Sequence, residues 1–325
     1  MTAKDFVSSQ EVRWCPGCGN YIVLATVQRL LLAMGISKEN IAFVSGIGCS
    51  SRFVYYMDTY GFHTIHGRAT AVAAGLKIAR PDLSVWVVIG DGDGLSIGLG
   101  HLLHLMRRNI DVNILLINNQ IYGLTKGQYS PTSSIGMVSN SSPFGNIDKP
   151  LNPIKLALAA ECGFVARAMD ADPKHLAEVI KQAALHQGTS FIEILQNCNV
   201  YNNDAFAIYK DPQFRQSNCV YLQHNSPIRF GKQLEKGIKP ISQQQLVVVD
   251  NVTDNNIDQL LVHNATLIEN SSAMLAQMHS AEWPLALGVF RAIKWPAYSD
   301  MVTARKEKIK LKFNRTLNDV LHTKY

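Results

Sequence analysis

The chain has 325 residues, 47% of them hydrophobic and 17% charged, with a formal net charge of +6 at neutral pH. That is enough apolar sequence for a sizeable core, in one large domain or two small ones, and no apolar run is long enough to span a bilayer. The opening "MTAKDFVSSQEVRW" lacks the apolar stretch of a secretory signal, so a cytoplasmic location is expected.

The basic excess is mild and mostly scattered. Its densest run, "RKEKIKLK" at Arg305–Lys312, reads as a solvated helix face. Neither nucleic acid nor a membrane is an expected partner, whereas an acidic protein partner suits the sign of the charge.

In chain order the sequence predicts a helix over Asn20–Met34, strands over Ile41–Ser45 and Phe62–Ile65, and a helix over Ala69–Ala79. A strand over Val85–Ile89, a helix over Leu95–Arg108 and a strand over Val112–Asn118 follow. Tyr129–Pro153 is rich in Ser, Gly, Pro and Asn and reads as a long surface loop, a kind that is often functional when the flanking core is regular. Next come a helix over Pro153–Cys162, a strand over Phe164–Ala168, a helix over Pro173–His186 and a strand over Phe191–Leu195. In Pro173–His186, Leu176, Val179, Ile180 and Ala183 recur at helical spacing.

Several of the strands are continuous Val/Ile/Leu runs, as parallel strands covered on both faces require. The alternation predicts an α/β fold with a doubly wound, mostly parallel sheet. It fades beyond about residue 205. Residues 206–325 read as an irregular C-terminal extension, with one strand in "QQQLVVVDN" and a helix from Ser299 that ends near Tyr325.

"VWVVIGDGDGLSIGLG", residues 85–100, sets two aspartates among glycines directly after a strand. Open α/β sheets bind ligands at such carboxyl ends. Glycines allow close approach to a phosphate, but a carboxylate beside a phosphate needs a cation between them. Mg²⁺, which takes hard oxygen ligands, fits that role. Asn118 and Asn119 end the neighbouring strand, with 25 residues separating them from Gly92. One helix, one loop and one strand of that length bring the two strand ends to one edge. An amide oxygen there can be a second metal ligand and a nearby carbonyl a third. A surface turn with acidic helix caps would also account for an isolated Gly-Asp-Gly; the paired asparagines favour the metal.

This Gly-Asp-Gly, followed after one further unit by Asn-Asn, resembles the signature of thiamin diphosphate enzymes. The resemblance makes Asp91, the Asn119 side chain and the Ile121 carbonyl the Mg²⁺ ligands. It places Gly92, Gly123 and Leu124 against the diphosphate. Asp93 is the alternative register for the carboxylate.

The six cysteines are Cys15, Cys18, Cys49, Cys162, Cys198 and Cys219. Disulfides are not expected in a cytoplasmic chain of this size. Cys15 and Cys18 form a CxxC in "WCPGCGNY", and Cys49 and Cys198 each follow a strand on the ligand edge. Four thiolates converging there would suit a [4Fe–4S] cluster. They would equally suit a closed zinc site. Beside thiamin diphosphate, which supplies decarboxylation chemistry, a redox-active cluster has a use and zinc has none. Cys162 reads as buried packing and Cys219 is left unassigned.

The combination resembles the β subunit of 2-oxoacid:ferredoxin oxidoreductases over residues 13–205, nearest to the 2-oxoglutarate branch. "WCPGCGN", "GIGCSSR", "HTIHGRATAVAAGLKIA", the Gly-Asp-Gly and Asn-Asn pair and "GLTKGQYSPTS" carry it. The resemblance implies a thiamin diphosphate and [4Fe–4S] domain over residues 1–205, with Cys15, Cys18, Cys49 and Cys198 as cluster ligands. Residues 206–325 would then be a lid or subunit contact. It places His66 and Gly67 by the cofactor, Ile47, Gly48 and Ser50 around the thiamin pocket, and the Lys126 loop at the active site. Arg52 could hold a substrate carboxylate, the planar recognition arginine favours. A buried histidine at 66, a structural ion pair at Arg52 and a solvent-facing Lys126 are the plainer alternatives. His101 and His104 read as ordinary helix residues.

The implied partners are an α subunit, in an αβ or (αβ)₂ assembly, ferredoxin, a 2-oxo acid and coenzyme A. The implied reaction converts 2-oxoglutarate and coenzyme A to succinyl-CoA and CO₂, with electrons passed to ferredoxin. Pyruvate or a branched-chain 2-oxo acid, a cluster-free thiamin decarboxylase or synthase, and a zinc-stabilised binding module are the competing readings.

Overall fold

The computed structural model describes residues 3–203, 205–242, 245–268, 271–278, 283–313 and 317–322. Helix α1 spans Asn20–Met34 and stops at Gly35, whose left-handed φ of 66° lets its N–H close on the Leu32 carbonyl. Strand β1 (Ile41–Ser45) and strand β2 (Tyr60–His63) pair in parallel, with Ala42 opposite Tyr60. That register starts and ends β2 two residues earlier than its sequence run implied. Helix α2 (Ala69–Ala79) leads to strand β3 (Ser84–Gly90).

The helix expected over Leu95–Arg108 is two helices, α3 (Asp91–Leu95) and α4 (Leu99–Arg107). The chain leaves helical conformation at Ser96, with φ of −102° and ψ of −108°. Gly98, where α4 begins, has no room for a side chain: a Cβ would sit 2.7 Å from the Asp93 carbonyl and 3.1 Å from the Gly67 Cα.

Strand β4 (Asn113–Asn118) is followed by an irregular stretch up to helix α5 (Pro153–Ala159), so the long loop forms as expected. Strand β5 (Phe164–Met169), helix α6 (Pro173–Ala184) and strand β6 (Ser190–Leu195) complete the alternation. Both α5 and α6 start on a proline behind a side-chain cap. Asn152 accepts from the Lys155 N–H and Asp172 from the His175 N–H.

Beyond this come α7 (Pro212–Asn218), β7 (Cys219–Leu222), β8 (Ser226–Pro227), β9 (Arg229–Phe230), β10 (Lys236–Ser242) and β11 (Gln245–Val249). Strand β12 (Val262–His263), α8 (Ser272–Leu275), β13 (Leu285–Ala292), α9 (Tyr298–Phe313) and α10 (Leu317–Leu321) follow. The helix expected from Ser299 is α9, and Tyr325 lies outside the described residues. Residues 301–310 of α9 are almost all exposed, as a solvated face requires.

Eight strands form the main sheet in the order β2-β1-β3-β4-β6-β5-β13-β7. Strands β1 to β6 run parallel, while β13 lies antiparallel on β5 and parallel to β7. Side chains alternate along the central strands, whose two faces are both dry, whereas the edge strand β2 is exposed. Val85, Val87 and Ile89 enter one core, whereas Trp86 and Val88 enter the other. Each such fully buried aliphatic side chain contributes about 1.5–3 kcal/mol. Residues beyond 205 share the first core through Val220, Ile238, Ala286 and Phe290. Position 205 thus marks a change of topology, not of core. The strand order reverses between β1 and β3, and a crevice at such a reversal is where doubly wound sheets hold ligands.

Candidate functional site

The carboxyl ends of β1, β3 and β4 open onto one cavity of about 330 Å³, the lower end of the range for small-molecule sites. Ile47, Gly48, Cys49 and Ser50 come to it from β1. Gly90, Asp91, Gly92 and Asp93 come from β3, and Asn119, Ile121, Gly123 and Leu124 from β4. His66 lines it from the segment after β2 and is exposed, which removes the buried-histidine alternative.

Asp91 is 2% exposed. Its Oδ2 accepts from the Ser130 hydroxyl at 2.5 Å and the Thr132 hydroxyl at 2.6 Å, and its carboxylate also accepts the Asn119 and Gly92 N–H groups. Burial still pushes its pKa up, because these donors are neutral. A buried carboxylate held in place without a cation beside it is what a Mg²⁺ site needs. The Asn119 amide is fixed by the Gln196 side chain, to which its Nδ2 donates at 3.1 Å, and its Oδ1 accepts the Ile121 N–H at 3.3 Å. The Ile121 carbonyl accepts the Gly123 N–H at 3.1 Å, leaving a second lone pair free for a metal.

Asp93 has a different task. Its Oδ1 accepts the Gly67 N–H at 2.8 Å, tying the loop after β2 to the start of α3. Gly67, with φ of 67°, therefore acts through Asp93 and does not itself line the cavity. Glycine is needed at Gly92 as well, where a Cβ would sit 2.2 Å from the Tyr122 ring. The Tyr122 hydroxyl donates to the Gly92 carbonyl at 3.0 Å, so ring and loop close one wall together.

The cysteine loops meet beside the cavity, at Gly123. The sulfurs of Cys49 and Cys198 lie 3.6 and 3.7 Å from where a Cβ on Gly123 would sit. Asn199 Nδ2 donates to the Pro16 carbonyl at 2.7 Å, and Gln196 Nε2 lies 3.5 Å from the Cys18 sulfur. Each of Cys15, Cys49 and Cys198 is close enough to act electrostatically on Cys18. Burial raises the Cys18 and Cys49 thiols to about 11. Among the described residues no three His, Cys, Asp or Glu side chains are grouped to share one metal ion. Cys162 and Cys219 are buried elsewhere, in packing.

Two residues expected at the reacting centre stand apart. Arg52 donates from Nη1 to the Arg13 carbonyl at 2.9 Å and does not line the cavity. Lys126 is exposed just beyond the lining segment, in a left-handed conformation with φ of 74°. Conversely, the roles of Ser130, Thr132 and Gln196 are not assigned by sequence reasoning. Hydroxyls and amides in a polar loop carry no periodic signal, and only the "SPTS" run within the family motif could have drawn attention to the first two.

Comparison with known proteins agrees with this geometry. Residues 46–194 match the family model described as thiamine pyrophosphate enzyme, C-terminal TPP binding domain. The chain is 50% identical over 301 residues to the 2-oxoglutarate oxidoreductase subunit KorB of Mycobacterium tuberculosis, covering 91% of this chain and 79% of that one. It is 40% identical over 222 residues to the 2-oxoglutarate synthase subunit KorB of Archaeoglobus fulgidus, covering 67% of this chain and 82% of the relative. Among solved structures it resembles a 2-oxoglutarate:ferredoxin oxidoreductase from Magnetococcus marinus with 2-oxoglutarate, coenzyme A and succinyl-CoA bound. There the TM-score is 0.79 at 32% identity, over 99% of this chain and 95% of the other.

Proposed function

The chain belongs to the β subunits of the 2-oxoacid:ferredoxin oxidoreductases, and from that premise we propose that it holds thiamin diphosphate, Mg²⁺ and a [4Fe–4S] cluster for the oxidation of 2-oxoglutarate. The overall reaction takes 2-oxoglutarate, coenzyme A and oxidised ferredoxin to succinyl-CoA, CO₂ and reduced ferredoxin, and a strong enough reductant could reverse it. When bound, thiamin diphosphate supplies decarboxylation chemistry and the cluster supplies an acceptor for single electrons.

The chain's own residues supply placement. Asp91, the Asn119 amide and the Ile121 carbonyl hold the metal, with Ser130 and Thr132 fixing the carboxylate. Gly92 and Gly123 let the backbone approach the diphosphate. Ile47, Gly48 and Ser50 wall the thiamin side with His66. Cys15, Cys18, Cys49 and Cys198 ligate the cluster. One observation carries the reading. Gly123 and Cys49 line the cavity, and the Cys49 and Cys198 sulfurs stand directly behind Gly123. The cofactor cavity and the gathered cysteines therefore meet at Cys49 and Gly123.

The site is completed by an α subunit. Among the described residues no glutamate lines the cavity, and a glutamate is the group that thiamin enzymes place against the aminopyrimidine ring. Ile97 and Leu124 line the cavity mouth while 65% and 46% exposed, apolar surface that a partner would cover. Lys126 and Arg52 would meet substrate only with that partner in place. Ferredoxin, acidic by class, suits the chain's positive charge.

The test is anaerobic purification of the α–β complex, with iron, sulfide and zinc assays and visible spectroscopy. About four iron and four sulfide per β chain, with colour that bleaches when 2-oxoglutarate and coenzyme A are added, is the expected result. A colourless protein that holds zinc overturns the electron path.

A further inference from the structure

A continuous polar chain runs from Asp91 through the middle of the sheet to strand β13. The Thr132 hydroxyl lies 2.6 Å from Asp91 Oδ2 and 2.9 Å from Asn118 Oδ1. Asn118 Nδ2 donates to Glu193 Oε1 at 2.7 Å. Arg167 Nε donates to Glu193 Oε2 at 2.7 Å, and its Nη1 donates to the Ala286 carbonyl at 3.3 Å while the guanidinium stacks 5.6 Å over the Phe290 ring. Asp91, Asn118, Thr132, Arg167 and Glu193 are each no more than 3% exposed. They come from the start of α3, from β4, β6 and β5, and from the long loop.

Donor and acceptor chemistry fixes the sense of the chain. Glu193, paired with an arginine, only accepts, so the Asn118 amide must turn its NH₂ to Glu193 and its oxygen to Thr132 and to the Gln120 N–H, 3.2 Å away. With that oxygen fixed as an acceptor, the Thr132 hydroxyl lies between two acceptors, Asp91 Oδ2 and Asn118 Oδ1, which together set where its oxygen sits. Its single proton serves either one. A flipped amide would set its oxygen against the Glu193 carboxylate, acceptor against acceptor.

We infer that Glu193, oriented by Arg167, is a positioning residue for the Mg²⁺–diphosphate carboxylate, acting through Asn118 and Thr132 on Asp91. The proposal rests on the thiamin diphosphate–Mg²⁺ reading of the cavity. It also gives residues beyond 205 a part in the site, since Ala286 and Phe290 hold the far end of the chain.

The experiment is calorimetric titration of Mg²⁺ into the cofactor-depleted α–β complex at saturating thiamin diphosphate. The complexes compared are wild type, Thr132→Val, Asn118→Ala, the double variant and Glu193→Gln. Removing groups of this kind behind a metal ligand weakens metal binding by roughly 10–100-fold. The expected result is a loss of that size in each single variant. The Thr132→Val/Asn118→Ala pair should lose no more than its worse member, because both sit on one path. Thermal unfolding of each complex separates a global loss of structure from this local effect.

Unchanged Mg²⁺ affinity in folded Asn118→Ala and Glu193→Gln, or losses that multiply in the double variant, overturns the proposal. If Glu193→Gln does not fold, the Thr132/Asn118 pair, which leaves the Arg167–Glu193 ion pair intact, decides it alone. Failure of the wild-type complex to bind Mg²⁺ with thiamin diphosphate refutes the cavity reading instead.

Discussion

Asn199 donates to the Pro16 carbonyl at 2.7 Å, joining the loop of Cys198 to the turn between Cys15 and Cys18. Two segments 183 positions apart are thereby latched directly beside their cysteines. A hydrogen bond of this kind is worth about 1 kcal/mol. Asn199→Ala should therefore keep its iron under argon but release it about fivefold faster in air, read as the decay of visible absorbance. An unchanged decay rate would show that the latch has no bearing on the cluster.

Two functions meet at Gly123 that single substitutions can split. Cys198→Ser removes one of the proposed cluster ligands, and Cys198 does not itself line the cavity. It should abolish the iron-linked colour and ferredoxin reduction, while thiamin diphosphate affinity stays within about threefold, well under 1.4 kcal/mol. Loss of both properties together would mean that the two sites fold as one unit.

Gly92→Ala is expected to do the reverse. Its Cβ would fall 2.2 Å from the Tyr122 ring, which must then swing away and give up its 3.0 Å bond to the Gly92 carbonyl. Forced displacement of this kind costs about 1–3 kcal/mol. Thiamin diphosphate binding should fall at least tenfold by calorimetry, with iron content unchanged. Full affinity in this variant would place the diphosphate elsewhere.

Asp170, just past β5, packs against Gly19 at the start of α1 and accepts the Asn197 N–H at 3.2 Å. Burial holds its pKa at about 6, against an ordinary 3.8. Folding thus favours the protonated carboxyl. That contribution is complete below about pH 4 and is lost as pH rises through 6. Its full size is on the order of 3 kcal/mol. Asp170→Asn, which keeps an acceptor for Asn197, should raise the unfolding temperature of the cofactor-depleted complex at pH 8, with the gain shrinking toward pH 4. A gain that is flat with pH would rule out a charged Asp170 as its source.

The Arg167–Glu193 pair, 3% and 2% exposed, predicts a stability pattern of its own. Arg167→Met strands a buried carboxylate and should cost roughly 3–5 kcal/mol, read by urea unfolding. Adding Glu193→Leu should recover part of that loss, because the unpaired charge is gone. A double variant less stable than the single one would mean that packing, not charge, dominates there.

The sequence by itself determined the parts that depend on local order. Helix α1 and strand β1 fall where the sequence predicts them, over Asn20–Met34 and Ile41–Ser45. Asp91 and Asn119 could be read as one site because each closes a strand in a parallel sheet, so their separation along the chain dictates that their ends meet. The CxxC and the two strand-end cysteines were legible for the same reason. Tertiary structure alone decided what lies at right angles to the chain. The seating of β13 antiparallel on β5 rests on pairings such as Gly288 with Arg167, more than a hundred residues apart, which no local pattern encodes. Arg167 and Glu193 sit inside runs that read simply as strands. Their charges are tolerable only because the sheet order brings β5 and β6 side by side and closes both faces. The Ser130 and Thr132 hydroxyls belong to a loop without a repeat, and only its folding back onto β3 turns them into donors to Asp91. Local spacing could say which strand ends meet; what orients their side chains is set by contacts between distant segments, whose geometry exists only once the core has packed.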